Sequence, residues 1–304
     1  MNWQKTKETF AKTIFLICGL LAIVAVLVIT AYMIAKGIPA ISQVGFADLI
    51  FGTVWKPTAE NPSYGIFYII LSSIVATFGA VLIGVPIALL TAVFLTDYTS
   101  GNKNTRMISK ILQSAVELLA AIPSVIYGLI GMMVLNPIMY DLEKKIYANS
   151  PDHQFTGGAN LLSAIIVLAV MILPTVINVS VSSIKAVPDH MRAASLALGA
   201  TKLQTIFKVV IPVAKSGIMT GVVLGIGRAL GEAMAINMVA GGTVNPPFPF
   251  NSVRTLTTQL VSEMSYASGL HRQVLFTVGL VLYIFIVIIN LILMRIKKKG
   301  LENG

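Results

Sequence analysis

Six long apolar stretches divide the chain, and each is long enough to cross a membrane. A spanning helix needs about 20 consecutive apolar residues. The stretches lie at about 13–35, 64–95, 107–135, 160–184, 214–241 and 272–294. The second and third contain glycines and prolines, which membrane helices tolerate because neighbouring helices can satisfy the freed backbone groups. The pattern predicts an all-α integral membrane protein with six transmembrane helices.

The first stretch is predicted to stay in the membrane as a helix. Its apolar run at 13–35 covers 23 residues, whereas the apolar region of a signal peptide covers about 7–15. No clean cleavage motif follows the run. Cys18 lies inside it and is the single cysteine, so no internal disulfide is expected.

Composition and charge agree with a membrane protein. The 304 residues are 56% hydrophobic and 11% charged, whereas a soluble domain is about 25% charged. If the six helices alternate, fifteen of the 22 lysines and arginines fall on one side of the membrane, six fall on the other and Arg228 lies within a span. Because basic residues concentrate on the cytoplasmic side, both termini are predicted to be cytoplasmic. The net charge of +10 then requires no nucleic acid.

The predicted cytoplasmic loop between the fourth and fifth spans has a helical pattern. Asp189 follows Pro188 and is predicted to cap a first short helix. Gly199 is predicted to end that helix in the left-handed conformation. A second amphipathic helix is predicted to run to Pro212. Two short helices around a glycine would form a protruding knob.

This loop resembles the coupling-loop motif of ABC importer permeases, which reads EAA, three residues, Gly, nine residues and I-x-L-P. Ala193 stands where the motif has its glutamate, so the loop is expected to be held to its neighbours differently. The resemblance implies that 186–212 docks on an ATPase subunit, with two leucines and an isoleucine as apolar anchors. The residues assigned to coupling are Ala194, Ser195, Leu196, Leu198, Gly199, Ile206, Ile211 and Pro212.

Two further segments are similar to signatures of phosphate-importer permeases. They are AAIPSVIYG at 120–128 and GRALGEAMA at 227–235. Trp55-x-Pro57, followed by Tyr64-Gly65-Ile66, looks more like the PstC-type subunit than the PstA-type subunit. The resemblance covers nearly the whole chain and implies the type I ABC importer permease fold.

A permease of this kind is the channel-forming subunit of an ATP-driven importer in the bacterial inner membrane. The resemblance implies that inorganic phosphate passes from an external PstS-like binding protein to the cytoplasm by alternating access. The implied partners are a second, PstA-like permease subunit and a PstB-like ATPase dimer. The implied organisation is an N-terminal segment, first helix and external loop at 1–63, a permease core with five transmembrane helices at 64–295 and a cytoplasmic tail at 296–304.

Arg228 and Glu232 are charged residues within a predicted span. A charge at the centre of a span costs roughly 2.5–3.5 kcal/mol, so such residues usually face a cavity. Their spacing of four predicts one helix face, shared with the glycines at 217, 221 and 225. One interpretation is that this ridge lines a substrate path, in which Arg228 offers paired donors to an oxyanion and Glu232 orients Arg228 or accepts a hydrogen bond from the substrate. The alternative is a structural salt bridge on a ridge that packs helices.

Two further polar residues in the third predicted span are candidates for the path. Glu117 lies ten residues into that span, near the predicted cytoplasmic interface. Ser124 adjoins Pro123, where a kink is expected, and could offer its hydroxyl.

Several motifs of enzymes and metal sites are missing from the sequence. There is no G-x-x-x-x-G-K-[ST], so the chain is not expected to bind ATP. There is also no H-E-x-x-H and no cysteine cluster, and the histidines at 153, 190 and 271 are expected to be solvated loop residues. The chain is therefore predicted to bind no metal or cofactor and not to be an enzyme, because partner subunits would hydrolyse ATP.

Other functions stay open on the residues alone. A permease of the same architecture for sulfate or molybdate is one, because a single arginine does not separate these oxyanions. An ion-coupled secondary transporter is another, but it would need coupling carboxylates near the midplane and usually an inverted repeat. The sequence shows one clear intramembrane carboxylate and no evident repeat. No nucleophile–base or metal-ligand spacing supports a membrane enzyme.

Overall fold

The computed structural model describes residues 2–97, 103–151 and 153–302. Within these residues the chain is mostly helical, with one two-stranded antiparallel ribbon in which Trp55 pairs with Tyr64. The elements are α1 (Asn2–Val44), α2 (Phe46–Phe51), β1 (Trp55–Lys56), β2 (Ser63–Tyr64), α3 (Phe67–Asp97), α4 (Lys103–Ala121), α5 (Ser124–Ile130), α6 (Asn136–Ile146), α7 (Leu161–Lys185), α8 (Asp189–Ala197), α9 (Lys202–Thr205), α10 (Ile211–Gly231), α11 (Met234–Val239), α12 (Leu256–Glu263) and α13 (Gly269–Glu302). Two π turns, Gly131–Leu135 and Ile206–Val210, join α5 to α6 and α9 to α10.

Six helical segments in the described residues are long and apolar enough to cross a membrane, which confirms the predicted number. They are Lys7–Val44, Phe67–Asp97, Ser124–Ile146, Leu161–Lys185, Lys202–Gly231 and Gly269–Ile292. The first, second, fourth and sixth overlap the predicted spans closely. Cys18 is a free cysteine on the exposed surface of α1.

The predicted third span at 107–135 is wrong in its position. Its first part belongs to α4, an amphipathic helix whose polar side carries Arg106, Lys110, Gln113 and Glu117. The backbone breaks at Pro123, because proline disfavours helical geometry in the residue before it. The spanning segment begins only after this break and continues to Ile146.

The predicted fifth span at 214–241 and the end of the knob also need correction. The second helix of the knob does not stop at Pro212 but continues as one segment from Lys202 to Gly231. Pro212 is tolerated because it follows a π turn, in which the Ile211 amide donates to the Ile206 carbonyl and the wider turn leaves room for the ring. At the other end the helix stops at Gly231, and α11 is a separate short helix.

The fourth span, α7, is the centre of the fold. It packs between α3 and α10, its most extensive neighbours. Leu168, Met171 and Ile172 on α7 are at most 1% exposed within the main apolar cluster. The helix begins where the Asn160 side chain accepts the Ser163 amide at 3.0 Å, which is a standard N-cap. This central position makes α7 the element against which charged groups on α10 are placed.

Candidate substrate path and coupling surface

Arg228 lies in the last turn of α10 and is half-buried against α7. Its Nη1 donates to Thr175 Oγ1 at 3.3 Å, and its guanidinium acts electrostatically on the Tyr127 phenol. Tyr127 in turn donates from its hydroxyl to the Leu119 carbonyl at 2.6 Å across the break between α4 and α5. Arg228 therefore has a neutral hydroxyl of α7 as its hydrogen-bond partner and lies near the Tyr127 phenol of α5.

Glu232 is not on a helix face with Arg228, so the expected four-residue pairing is wrong. Its backbone is extended, with φ −75° and ψ 126°, because α10 has already ended at Gly231. Its carboxylate accepts the Ala235 amide at 3.1 Å, and its carbonyl accepts the Thr257 hydroxyl at 2.7 Å. Among the described residues Arg228 and Glu232 form no ion pair, which removes the structural salt bridge as an explanation for these charges.

The glycine ridge of α10 packs against α7 and does not line an open path. A side chain at Gly225 would bring its Cβ within 2.8 Å of Val176 Cγ2, and one at Gly221 would come within 3.1 Å of Val179 Cβ. Gly217 similarly meets Ser183. The alternative interpretation, that small residues allow close helix packing, is thus the correct one for these glycines.

The two weaker path candidates lie on either side of the Pro123 break. Glu117 is exposed on α4 and accepts Gln113 Nε2 at 3.1 Å. Ser124 is the first residue of α5 and is half-buried. Neither contacts Arg228 directly in the hydrogen bonds of the described residues, and Tyr127 is what connects their helices to it.

The residues that sequence reasoning missed are two threonines, Thr175, which accepts from the Arg228 guanidinium, and Thr257, which donates to the backbone carbonyl of Glu232. Thr175 could have been noticed, since it is a polar residue within an apolar span. Thr257 carried no signal, because it lies 25 residues after Glu232 in a predicted loop. Their proximity is a tertiary property.

Glu263 is the centre of a polar network at the predicted outer face. The residue is 4% exposed. Its carboxylate accepts hydrogen bonds from Trp55 Nε1 at 3.1 Å and from Arg254, and it lies 2.7 Å from His271 Nε2. Burial, with a smaller contribution from the Glu263 carboxylate, raises the pKa of the nearby Tyr266 phenol. The network joins the ribbon, α12 and α13 through Trp55, Glu263 and His271. A groove of about 580 Å³ adjoins it.

Two of the three histidines depart from the expectation of solvated loop residues. His271 is 9% exposed in the Glu263 network. His153 contacts the fully buried Glu143 at 2.9 Å and stacks on Tyr147. Each binds a carboxylate, and the described residues contain no cluster of three or more potential metal ligands.

The knob has the predicted turn. Gly199 has φ 85°; its amide donates to the Leu196 carbonyl at 3.0 Å, and the Ala200 amide donates to the Ser195 carbonyl at 3.2 Å. These are the two hydrogen bonds of a Schellman motif. Asp189 does not cap α8 with its side chain, because it is already the first helical residue.

The exposed apolar side chains of the knob differ in part from those expected. Leu196 and Leu198 are 50% and 90% exposed, but Ile206 is 1% exposed and belongs to the core. Leu203 and Phe207, in the second half of the knob, are exposed instead. Ile206 turns inward because the π turn that starts there directs it against the ends of α3 and α7.

An ion pair holds the knob where the motif's glutamate is missing. Arg192 binds Asp97, the last residue of α3, and donates to the Ile184 carbonyl at 2.9 Å. Ser195 and Thr205 join the two knob helices by a hydroxyl contact of 2.9 Å. The knob is therefore fixed to the ends of α3 and α7.

Six membrane-length helices, a half-buried arginine at the end of one of them and an exposed knob define a multi-pass membrane permease. Known proteins agree with this class. The chain belongs to the family of binding-protein-dependent transport system inner membrane components, whose profile matches residues 84–301. Such proteins are permease subunits of the bacterial inner membrane that work with separate ATPase subunits and binding proteins.

Individual relatives cover nearly the whole chain. The probable ABC transporter permease protein YqgH of Bacillus subtilis is 36% identical over 97% of this chain and 93% of its own length. The phosphate transport system permease protein PstC of Pasteurella multocida is 31% identical over 98% of this chain and 92% of its own length. A solved bacterial ABC transporter that imports alginate matches with a TM-score of 0.64 and 16% identity over 98% of both chains, which supports the fold.

Proposed function

We propose that this chain is a channel-forming subunit of an ATP-driven importer of inorganic phosphate. The observation that carries the proposal is Arg228, a cation at the end of a membrane-spanning helix whose hydrogen-bond partner is the neutral Thr175 hydroxyl. An unpaired cation at this depth is costly unless it faces water or an anionic substrate. Its guanidinium can bind a tetrahedral oxyanion through two parallel hydrogen bonds. The PstC relatives favour phosphate as that oxyanion.

Glu232 gives the proposal its preference for phosphate over sulfate. Near neutral pH phosphate keeps at least one proton and can donate a hydrogen bond to a carboxylate, whereas sulfate cannot. A charged Glu232 beside the path would repel sulfate more strongly. Sulfate or molybdate transport is the competing possibility, and it requires this carboxylate to play no part in selection.

The proposed assembly follows from the knob. Both termini and the knob would be cytoplasmic, so that Leu196 and Leu198 contact a PstB-like ATPase dimer. A PstA-like subunit would complete the path, and a PstS-like protein would deliver phosphate from outside. ATP would be used by the partner subunits, and this chain would bind no cofactor.

The experiment is uptake of labelled phosphate and sulfate by variants of the complete transporter, normalised to the amount in the membrane. Arg228→Lys keeps the charge but loses the paired donors, and we expect phosphate uptake to fall about tenfold or more, because hydrogen bonds to charged groups contribute about 1.5–3 kcal/mol. Glu232→Gln should slow uptake and reduce the discrimination against sulfate.

The exposed Arg272 supplies the matched control, since Arg272→Lys makes the same change outside the site. It should transport phosphate at the normal rate. Full phosphate uptake by Arg228→Lys, or by a variant neutral at both Arg228 and Glu232, would refute the proposed role of these charges.

A further inference from the structure

The exposed residues of α7 are unlike those of its neighbour α3. Of the 25 residues of α7, three are exposed, and all of them are polar: Asn178, Ser182 and Lys185. The exposed residues of α3 are all apolar: Ile74, Phe78, Leu82, Ile83, Pro86, Ile87 and Leu90. Polar side chains within spans usually face the bundle interior or a water-filled cavity, whereas apolar ones face lipid. The exposed face of α7 is therefore not a lipid face.

This polar face begins at the level of Arg228. At 100° per residue, Thr175, Asn178, Ser182 and Lys185 fall within an arc of about 80°. Thr175 is the partner of Arg228, and Lys185 is the last residue of α7. At 1.5 Å per residue the face is about 15 Å long, or half of a hydrocarbon core of about 30 Å.

The face is closed at one end and open at the other. One turn before Thr175, the same arc holds Met171, which is 1% exposed inside the main apolar cluster. Beyond the half-buried Thr175 the arc is exposed at Asn178, Ser182 and Lys185, as far as the end of α7. The opening thus leads from Arg228 toward the knob and away from the outer network.

A second polar helix surface lies beside it. α4 packs on α7 through Val116, which contacts the cluster containing Val176 and Ile177. On either side of Val116 in sequence, Gln113 and Glu117 are exposed. The amphipathic helix α4, which precedes the third span, therefore exposes polar side chains next to the spanning helix α7.

We propose that Asn178 and Ser182 line the inner half of the substrate path and are transient partners for the anion between Arg228 and Lys185. This inference rests on the proposed function. The Asn178 amide has no hydrogen-bond partner among the described side chains and backbone groups, so it can donate to an oxyanion. The Ser182 hydroxyl donates to the Asn178 carbonyl at 2.9 Å and can rotate toward the path. Neutral hydrogen-bond donors bind an anion less strongly than cationic side chains do, so they let the anion move on along the path.

The test is labelling of single cysteines by a membrane-impermeant sulfonate-bearing thiol reagent, added to the cytoplasmic side of inverted vesicles that contain the whole transporter. The background is Cys18→Ala, and the test variants are Asn178→Cys and the nearly isosteric Ser182→Cys. Leu90→Cys is the matched control, because Leu90 is 61% exposed on the apolar face of α3. Both test cysteines should react about tenfold faster or more than the control, since only the thiolate reacts and it requires a polar surrounding. Labelling at either should abolish phosphate uptake.

Two results would overturn the inference. If both test cysteines react as slowly as Leu90→Cys, the polar face is covered by another helix. If both are labelled fully and uptake continues at the normal rate, the face is wet but is not the path. Arg228→Lys, assayed in the same vesicles, tests the proposed function separately. Normal phosphate uptake by Arg228→Lys refutes that function even where the labelling results support a path.

Discussion

The ion pair between Asp97 and Arg192 should carry much of the attachment between the knob and the membrane helices. Asp97 is 8% exposed at the end of α3 and also accepts the Thr96 hydroxyl at 3.0 Å. The Arg192 side chain is 21% exposed and has its second hydrogen bond to the Ile184 carbonyl. Asp97→Asn keeps the size of the side chain but removes the buried charge that compensates Arg192, and leaves, among the described residues, only the exposed Asp189 carboxylate at 4.0 Å from Arg192 Nε.

The expected cost follows from this burial. Removing one partner of a buried ion pair costs about 3–5 kcal/mol, because the other charge stays buried without compensation. Water reaches about a fifth of the Arg192 side chain and screens part of its charge, so a cost just below that range, about 2–3 kcal/mol, is expected. The Asp141–Lys144 pair is the matched control, since its side chains are 72% and 50% exposed. Asp141→Asn should cost less than about 1 kcal/mol.

The assay combines thermal unfolding of the purified complex with ATP hydrolysis in the presence and absence of transported substrate. Asp97→Asn should lower the unfolding temperature more than Asp141→Asn does and should weaken the response of hydrolysis to substrate. The apolar double variant Asp97→Leu with Arg192→Met should recover stability, because no charge then stays unpaired. If Asp97→Asn is as stable and as well coupled as Asp141→Asn, the pair does not hold the knob.

Three shorter predictions concern the turn at Gly199, the end of α10 and the topology. Gly199→Val should abolish substrate-stimulated ATP hydrolysis without changing membrane insertion. A φ of 85° strains a β-branched residue, although a Cβ at this position would meet no atom within 4 Å. Gly199→Asn should be tolerated, and normal coupling in Gly199→Val would contradict the assignment of the knob to coupling. Thr257→Val should slow phosphate uptake, because the Glu232 carbonyl loses a hydrogen bond that contributes about 1 kcal/mol. Thr257→Ser keeps the hydroxyl and should transport at the normal rate. Equal rates in the two variants would exclude a role for this hydrogen bond. A reporter fused after Lys299 should be cytoplasmic and one inserted at Asn251 external, and an external C-terminus would overturn the predicted orientation.

The helices that sequence reasoning located well are those with polar residues at both ends of an apolar run. The prediction of 160–184 lies within one residue of Leu161–Lys185 at each end, because Asn160 caps the helix and Lys185 closes it. The third span failed for the opposite reason. In α4 the apolar residues occupy one side of an amphipathic helix. They precede the apolar residues of the true span almost without a gap in sequence, so the two helices look like one apolar run across Pro123.

The candidate site was predictable in its charges but not in its geometry. Arg228 can be recognised from the sequence, because a charge within an apolar run is costly and therefore usually has a function. The helix end at Gly231 is held partly by the Thr257 hydroxyl, which binds the carbonyl of Glu232 from 25 residues away. The regular spacing of four residues could not reveal that contact, so the two charges were placed on one face that the backbone does not form.

The glycines of α10 explain why the polar face continues on α7. Gly221 and Gly225 allow α10 to approach Val179 and Val176 so closely that this side of α10 is filled. Arg228, at the end of the same row, is the point where the close packing stops and a guanidinium lies beside Thr175. Inward of that contact, α7 itself exposes polar residues. The small-residue pattern and the half-buried charge are therefore two parts of one packing arrangement, in which the glycines fix the distance between α10 and α7 and so place Arg228 at the start of the polar face.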